Sequence, residues 1–131
     1  MLNLNSSTLQ AVADKALLDA AAHPRWVVAI GRALVELDAN PWIARIEGGR
    51  GLLIGSPSGS VYSSNGVCQC KAFEHGQACW HRAAARLVRL HDEAQLTAAI
   101  EAQLEPVVEK AFAPLHERLA KARREMAELF A

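Results

Sequence analysis

Apolar residues recur at intervals of three and four along the first forty positions, which is the spacing of helices that bury one face. This pattern predicts one helix over residues 7–22, with Ser7 or Thr8 as its N-cap. Pro24 ends that helix, because a proline pushes the residue before it out of the α region. The same proline can open a second helix, which we expect to run from Pro24 to about Asp38.

The pattern changes at Trp42 to short β-like runs separated by glycine and serine. The runs cover residues 42–46, 52–54 and 60–63, and they predict an antiparallel meander of three or four strands. The predicted turns are Gly48-Gly49-Arg50-Gly51, Ser56-Pro57-Ser58-Gly59 and Asn65-Gly66. Their glycine spacing does not match the loops that bind phosphates or dinucleotides, so hairpin turns are the favoured interpretation.

Helical spacing returns after Cys79. The apolar face of this helix is predicted to comprise Trp80, Ala83, Ala84, Leu87, Val88 and His91. Arg82, Arg86 and Arg89 follow another face of the same helix. The helix is expected to continue or restart at Asp92 and to restart again at Pro106, which gives two or three helices in this part of the chain.

Apolar residues near the C-terminus follow a heptad-like pattern of alternating four- and three-residue steps. The pattern comprises Val108, Phe112, Leu115, Leu119, Ala122, Met126 and Leu129. Such a stripe packs either back on its own domain or against another copy, so a homodimer through residues 106–130 is one of two alternatives. Proline inside a helix costs about 3 kcal/mol, and we therefore expect a bend near Ala113-Pro114.

The chemistry of the chain is concentrated between Cys68 and His81. All three cysteines and one of the five histidines lie in these fourteen positions, as Cys68-x-Cys70 and Cys79-x-His81. Three thiolates and one imidazole are the ligand set of a closed structural zinc site, whereas three cysteines cannot all pair as disulfides. We predict that these four residues bind one Zn²⁺, and the alternative is a set of unligated buried thiols. The N-terminus of the following helix is expected to lower the pKa of Cys79.

A full coordination sphere leaves no open position for a catalytic water. No nucleophile with a suitably spaced base and no pair of carboxylates stands out elsewhere in the sequence. We therefore expect a protein that is not an enzyme.

The order Cys68-x-Cys70, eight residues, Cys79-x-His81 resembles the SWIM zinc finger, whose pattern is CxC, a variable spacer and CxH on a ββα framework. The hairpin before the first pair, Phe73 in the spacer and the alanine-rich helix after His81 also fit, and the resemblance covers roughly residues 42–91. SWIM modules bind DNA or other proteins, and their hosts usually combine them with an enzyme domain. The resemblance implies a DNA-binding or protein-interaction module. This sequence departs from those hosts because it shows no ATPase or nuclease domain, so we expect a free-standing SWIM protein.

Charge is distributed unevenly along a chain whose formal net charge is zero. Residues 42–92 carry six basic and three acidic side chains, a net charge of +3. This excess predicts binding to nucleic acid, above all DNA, through phosphate contacts. The predicted contact residues are Lys71, Arg82, Arg86, Arg89, Arg45 and Arg50. The same cations could instead be an ordinary solvated face, or could balance the thiolates of the metal site.

These observations predict an α+β protein in three segments: an N-terminal helical segment at 1–41, a zinc-binding module at 42–91 and a C-terminal helical segment at 92–131. The alternative to nucleic-acid binding is a zinc-stabilised adaptor that binds a protein partner through its C-terminal helices. The longest apolar runs fall far short of the roughly 18 residues that span a bilayer, and no secretory signal is visible, so a cytoplasmic protein without membrane contact is expected.

Overall fold

The computed structural model describes residues 2–47 and 50–131, and its first two elements are helices. Helix α1 spans Ser6–Asp19 and helix α2 spans Pro24–Ala39, with the proline in the first turn as predicted. The prediction that Ser7 or Thr8 caps α1 is wrong, because Asn5 precedes both and caps the helix. Its side-chain oxygen accepts hydrogen bonds from the Thr8 backbone N–H at 3.0 Å and from the Ser7 hydroxyl at 2.8 Å.

Three short strands form an antiparallel sheet in the order β1-β2-β3, with β1 at Ile43–Arg45, β2 at Leu52–Gly55 and β3 at Val61–Ser64. The meander is therefore three-stranded. Its buried face presents Ile43, Leu52 and Ile54. Gly48 and Gly49 of the first predicted turn lie outside the described residues, and Gly51 of the same turn has a φ of +116°. A Cβ on Gly51 would collide with the carbonyl oxygen of Ser64, so a side chain there would displace β3.

One helix, α4, runs from Trp80 to Leu129. Of the two alternatives at Asp92, the helix continues, but the prediction of two or three helices in this region is wrong, because α4 also continues through Pro106 and Pro114. A proline removes one backbone donor, but the alanine, leucine, glutamate and lysine residues around both prolines favour the helix strongly enough to continue it.

Small side chains make up much of the core that supports the candidate site. Alanines from α1, α2 and α4 are almost fully buried, and their small side chains let α1 and α2 approach each other closely. The buried residues of the core are Ala13, Ala16, Ala29, Ile30, Ala33, Ile43, Leu52, Ile54, Ala83, Ala84, Ala85, Leu87 and Val88. The predicted apolar face of α4 is thus buried except for Trp80, which is partly buried, and Ala85 is a further buried residue of this helix.

A polar network involving His91 connects the start of α1 to α4. The His91 side chain is 4% exposed, and its Nε2 accepts a hydrogen bond from the Asn5 backbone N–H at 2.9 Å. Nδ1 therefore carries the proton and donates it to Asp92 at 3.0 Å. Arg45 donates two hydrogen bonds to the same carboxylate, at 2.8 and 3.1 Å. This bidentate hydrogen bonding lowers the pKa of Asp92 and raises the pKa of Arg45.

By its internal contacts the chain forms two compact units, Met1–Gln95 and Leu96–Ala131. The first contains α1, α2, the sheet and the first part of α4, and the second contains the rest of α4. The three-segment division stays a prediction. No helix in the described residues combines the length and the apolar character needed to span a membrane.

Candidate metal centre

The four residues Cys68, Cys70, Cys79 and His81 lie together. Their candidate ligand atoms are all within 4.8 Å of one another, the three cysteines are buried and the histidine is half-buried. Four donor atoms in this arrangement could coordinate one metal ion, and a set of three sulfurs and one nitrogen is consistent with Zn²⁺. In the residues that the structure describes, this is the one such group of three or more histidine, cysteine and acidic side chains.

Each pair of ligands lies next to the start of a helix. Cys68 follows β3 and forms an isolated antiparallel bridge with Ser64. Cys70 is the N-cap residue of a short helix, α3, which spans Lys71–Glu74. Cys79 immediately precedes α4 and His81 lies in its first turn. A metal ion bound here would therefore join the end of the sheet, α3 and the start of α4.

Sequence reasoning missed α3, which lies in the spacer between the two ligand pairs. The helix ends at Glu74 with His75 as its C-cap. Gly76 follows with a φ of +68° and donates a hydrogen bond from its backbone N–H to the Phe73 carbonyl at 2.9 Å. The next residue, Gln77, donates to the Ala72 carbonyl at 2.8 Å. A glycine that ends a helix in the left-handed conformation is a sequence signal, so Gly76 could have indicated this turn of helix.

The three thiols differ in their acidity because their surroundings differ. Burial raises the pKa of Cys68 and raises that of Cys79 to about 12, so the net shift of the Cys79 pKa is upward although the start of α4 contributes in the expected direction. The backbone N–H of Arg82 does favour the Cys79 thiolate, but burial outweighs it. Burial also acts on Cys70, but hydrogen bonds from the Phe73 backbone N–H and from the other thiols outweigh it and lower the pKa. All three thiols must ionise to bind a metal ion, whose charge would stabilise them.

The imidazole of His81 lies against two aromatic rings. Its centroid is 4.2 Å from that of Trp80 and 5.1 Å from that of Tyr62. Burial, and secondly the charge of Arg32, lower the pKa of His81, which favours the neutral imidazole that metal ions require. Nδ1 of this ring is buried and has no hydrogen-bond partner within residues 2–47 and 50–131. A buried nitrogen without a partner costs about 1–3 kcal/mol, and a bond to a metal ion would remove that cost.

Arg82 has a structural environment that its sequence position did not reveal. Its guanidinium lies over the ring of Trp26 at 5.2 Å and over the ring of Phe73 at 5.1 Å. Its Nε is buried and has no hydrogen-bond partner in the described part of the chain. Arg82 therefore links α2, α3 and α4 beside the metal centre through cation–π contacts.

The other predicted phosphate contacts are distributed differently. Arg45 is engaged with Asp92, as described above, and Arg89 lies 3.8 Å from Glu93 in an exposed pair. Lys71, Arg50 and Arg86 are exposed. Three of the six side chains, Arg45, Arg82 and Arg89, thus have partners within the protein, and the role of all six in binding phosphate stays a prediction.

Comparison with known proteins adds no family to these observations. The sequence matches no protein-family model, and searches of curated proteins and of solved structures also give no match.

Proposed function

We propose that this chain is a zinc-stabilised protein-interaction module that has no catalytic activity. Zn²⁺ bound by Cys68, Cys70, Cys79 and His81 stabilises the unit Met1–Gln95, and α4 offers an apolar stripe to a helix of a partner. The observation that carries the proposal is the exposure of that stripe. We call Val108, Phe112, Leu115, Leu119, Ala122, Met126 and Leu129 the C-terminal stripe.

The metal centre supports a structural rather than a catalytic role. Four protein ligands complete a tetrahedral sphere, and no position remains for a reacting water. The order of strand, CxC pair, CxH pair and helix supports assignment of residues 42–91 to the SWIM type of zinc finger. In this role the ion stabilises the fold, and the surface of the protein rather than the ion binds the partner.

The C-terminal stripe is exposed along its whole length. Phe112, Leu115 and Leu119 are 45–49% exposed, and Met126 and Leu129 are 58% and 80% exposed. Single exposed apolar residues are ordinary, but a continuous row of large ones marks an interaction surface. The alternating steps of four and three residues place this row on one face, which is the geometry for packing against another helix.

The first prediction concerns this stripe. Leu115→Glu combined with Leu119→Glu should abolish the partner complexes of the chain, because two charges would have to be buried in the helix contact. Zinc-loaded protein is used as bait in affinity capture, alongside a mass measurement by light scattering. Ala113→Glu combined with Ala120→Glu is the matched control, because it adds the same charge on the outer face of the helix.

The proposal requires complexes that are lost in the leucine variant and kept in the alanine variant. These complexes include further copies of the chain itself. If the chain is monomeric and no partner of any kind depends on the stripe, the interaction function is wrong.

Nucleic-acid binding is a second candidate, favoured by the exposed cations Lys71, Arg50, Arg86 and Arg89. Such binding should weaken with salt: the logarithm of the association constant should fall against the logarithm of the salt concentration with a slope of about −0.9 for each phosphate contact on duplex DNA. Arg86→Ala combined with Arg89→Ala should then weaken binding and reduce the steepness of this slope by the contribution of about two phosphate contacts. The measurement is a titration of zinc-loaded protein against duplex DNA, single-stranded DNA and RNA at several salt concentrations.

Lys15→Ala combined with Arg25→Ala removes the same charge from exposed positions of α1 and α2, and serves as the control. Equal losses in both double variants would indicate non-specific attraction. Binding that is absent, or that does not depend on salt, would rule out this candidate.

A further inference from the structure

The sequence of the C-terminal stripe and of the charged residues beside it indicates which kind of helix it binds. We propose that it pairs with the same stripe of a second copy of this chain, in antiparallel orientation, with Arg118 of each copy facing Glu125 of the other. This inference rests on the proposed function, because it names the partner of the same surface. Three features of residues 108–129 support it: the heptad positions, the register of apolar layers and the placement of charge.

In heptad notation, with positions a to g, the stripe occupies the two core positions. Position a comprises Phe112, Leu119 and Met126, and position d comprises Val108, Leu115, Ala122 and Leu129. All seven side chains are exposed. Pro114 falls at the outward position c, where its ring does not enter the contact.

One antiparallel register fills the core without including a charged residue. When the helices cross between Ala120 and Lys121, Phe112 faces Leu129, Leu115 faces Met126 and Leu119 faces Ala122 of the other copy. Each copy then contributes six apolar positions, and the large Leu119 meets the small Ala122. A slide of one heptad either brings Glu105 opposite Leu129 or leaves Phe112 and Leu115 without partners.

Charges beside the core favour the same register. In an antiparallel pair each g position lies beside a g position of the other helix, and the g residues here are Ala111, Arg118 and Glu125. The register above gives two Arg118–Glu125 attractions. Sliding one heptad in either direction would instead place Arg118 beside Arg118 or Glu125 beside Glu125.

Parallel pairing is disfavoured by the same residues. In a parallel pair each g position lies beside the e position of the next heptad, so Arg118 would lie beside Arg123 of the other copy, twice. Charge at e and g positions selects orientation by attraction in one arrangement and repulsion in the others. Glu125 is available for the antiparallel contact because its neighbour Lys121, at 3.8 Å, forms only an exposed pair with it.

The test is a charge-reversal cycle on the full, zinc-loaded chain, measured by sedimentation equilibrium. Arg118→Glu should weaken self-association by about tenfold, because two attractions become two repulsions. Glu125→Arg alone should have a similar effect, and the double variant should recover most of the wild-type affinity. Arg124→Glu makes the same charge change at the outward position f and should leave the affinity unchanged. Zinc content and helix content establish that each variant is folded.

The sign of the Arg118→Glu effect distinguishes the orientations. Tighter association would indicate parallel pairing with Arg123, and it would overturn the proposal. Failure of the double variant to recover would overturn the register. A chain that remains monomeric but retains a stripe-dependent complex with another protein would overturn self-pairing and leave the proposed function standing.

Discussion

Replacing Cys70 with serine should release the metal and unfold the region between β3 and α4. Serine does not supply the thiolate that Zn²⁺ requires, and the buried Cys68 and Cys79 would be left with an incomplete site. Because binding of a structural zinc contributes directly to folding, with apparent values of about 10–16 kcal/mol in isolated zinc-finger peptides, we expect a loss of several kcal/mol. His81→Ala should have the same effect. Metal content by atomic emission and thermal unfolding by circular dichroism measure both results.

The control is His75→Ala, which removes an exposed histidine from the same spacer. This variant should keep one metal ion per chain and the wild-type unfolding temperature, because His75 is not part of the cluster. Full metal occupancy in both Cys70→Ser and His81→Ala would contradict the ligand set.

Metal uptake should also release protons at neutral pH. Burial keeps the pKa of Cys68 above its usual value and that of Cys79 at about 12, so both thiols are protonated without a metal ion. Both must ionise to become ligands, and retention of the ion should therefore fall as the pH is lowered. A pH indicator in weakly buffered solution measures the release, and uptake without it would contradict thiolate ligation.

Arg82→Ala should destabilise the zinc-loaded protein by about 1–3 kcal/mol, because two cation–π contacts and the packing of the long side chain are lost together. Urea denaturation measures the free energy of unfolding. Arg86→Ala is the matched control, because Arg86 lies one turn further along α4, is exposed and should change stability by no more than about 0.5 kcal/mol.

Arg82→Met separates the two contributions of the side chain. Methionine preserves the apolar contact with Trp26 and Phe73 but removes the charge, so its effect should fall between those of alanine and wild type. If Arg82→Ala and Arg86→Ala leave stability equally unchanged, the linking role of Arg82 is wrong. Loss of nucleic-acid affinity without loss of stability would instead support the prediction that Arg82 contacts phosphate.

Much of the local structure could be predicted because it depends on neighbours in sequence. Pro24 at the start of α2, the strand runs between glycine-rich turns and the helical spacing after Cys79 all reflect local backbone preferences. The wrong predictions concern places where two local preferences of the sequence compete. Asn5 rather than Ser7 caps α1, and helix-forming neighbours carry α4 through Pro106 and Pro114.

The sequence by itself determined the candidate ligand set, because Cys68, Cys70, Cys79 and His81 are close in the chain and their donor chemistry is specific. Only the tertiary structure decided what the neighbouring cations do. Arg82 stacks on Trp26, which is distant in sequence, and Arg45 binds Asp92, whereas Arg86 remains exposed. All three are alike as charges in a sequence, since charge alone does not say which side chains from distant segments will come into contact. That depends on how the helices and the sheet pack, and packing is set by the whole core rather than by any one segment.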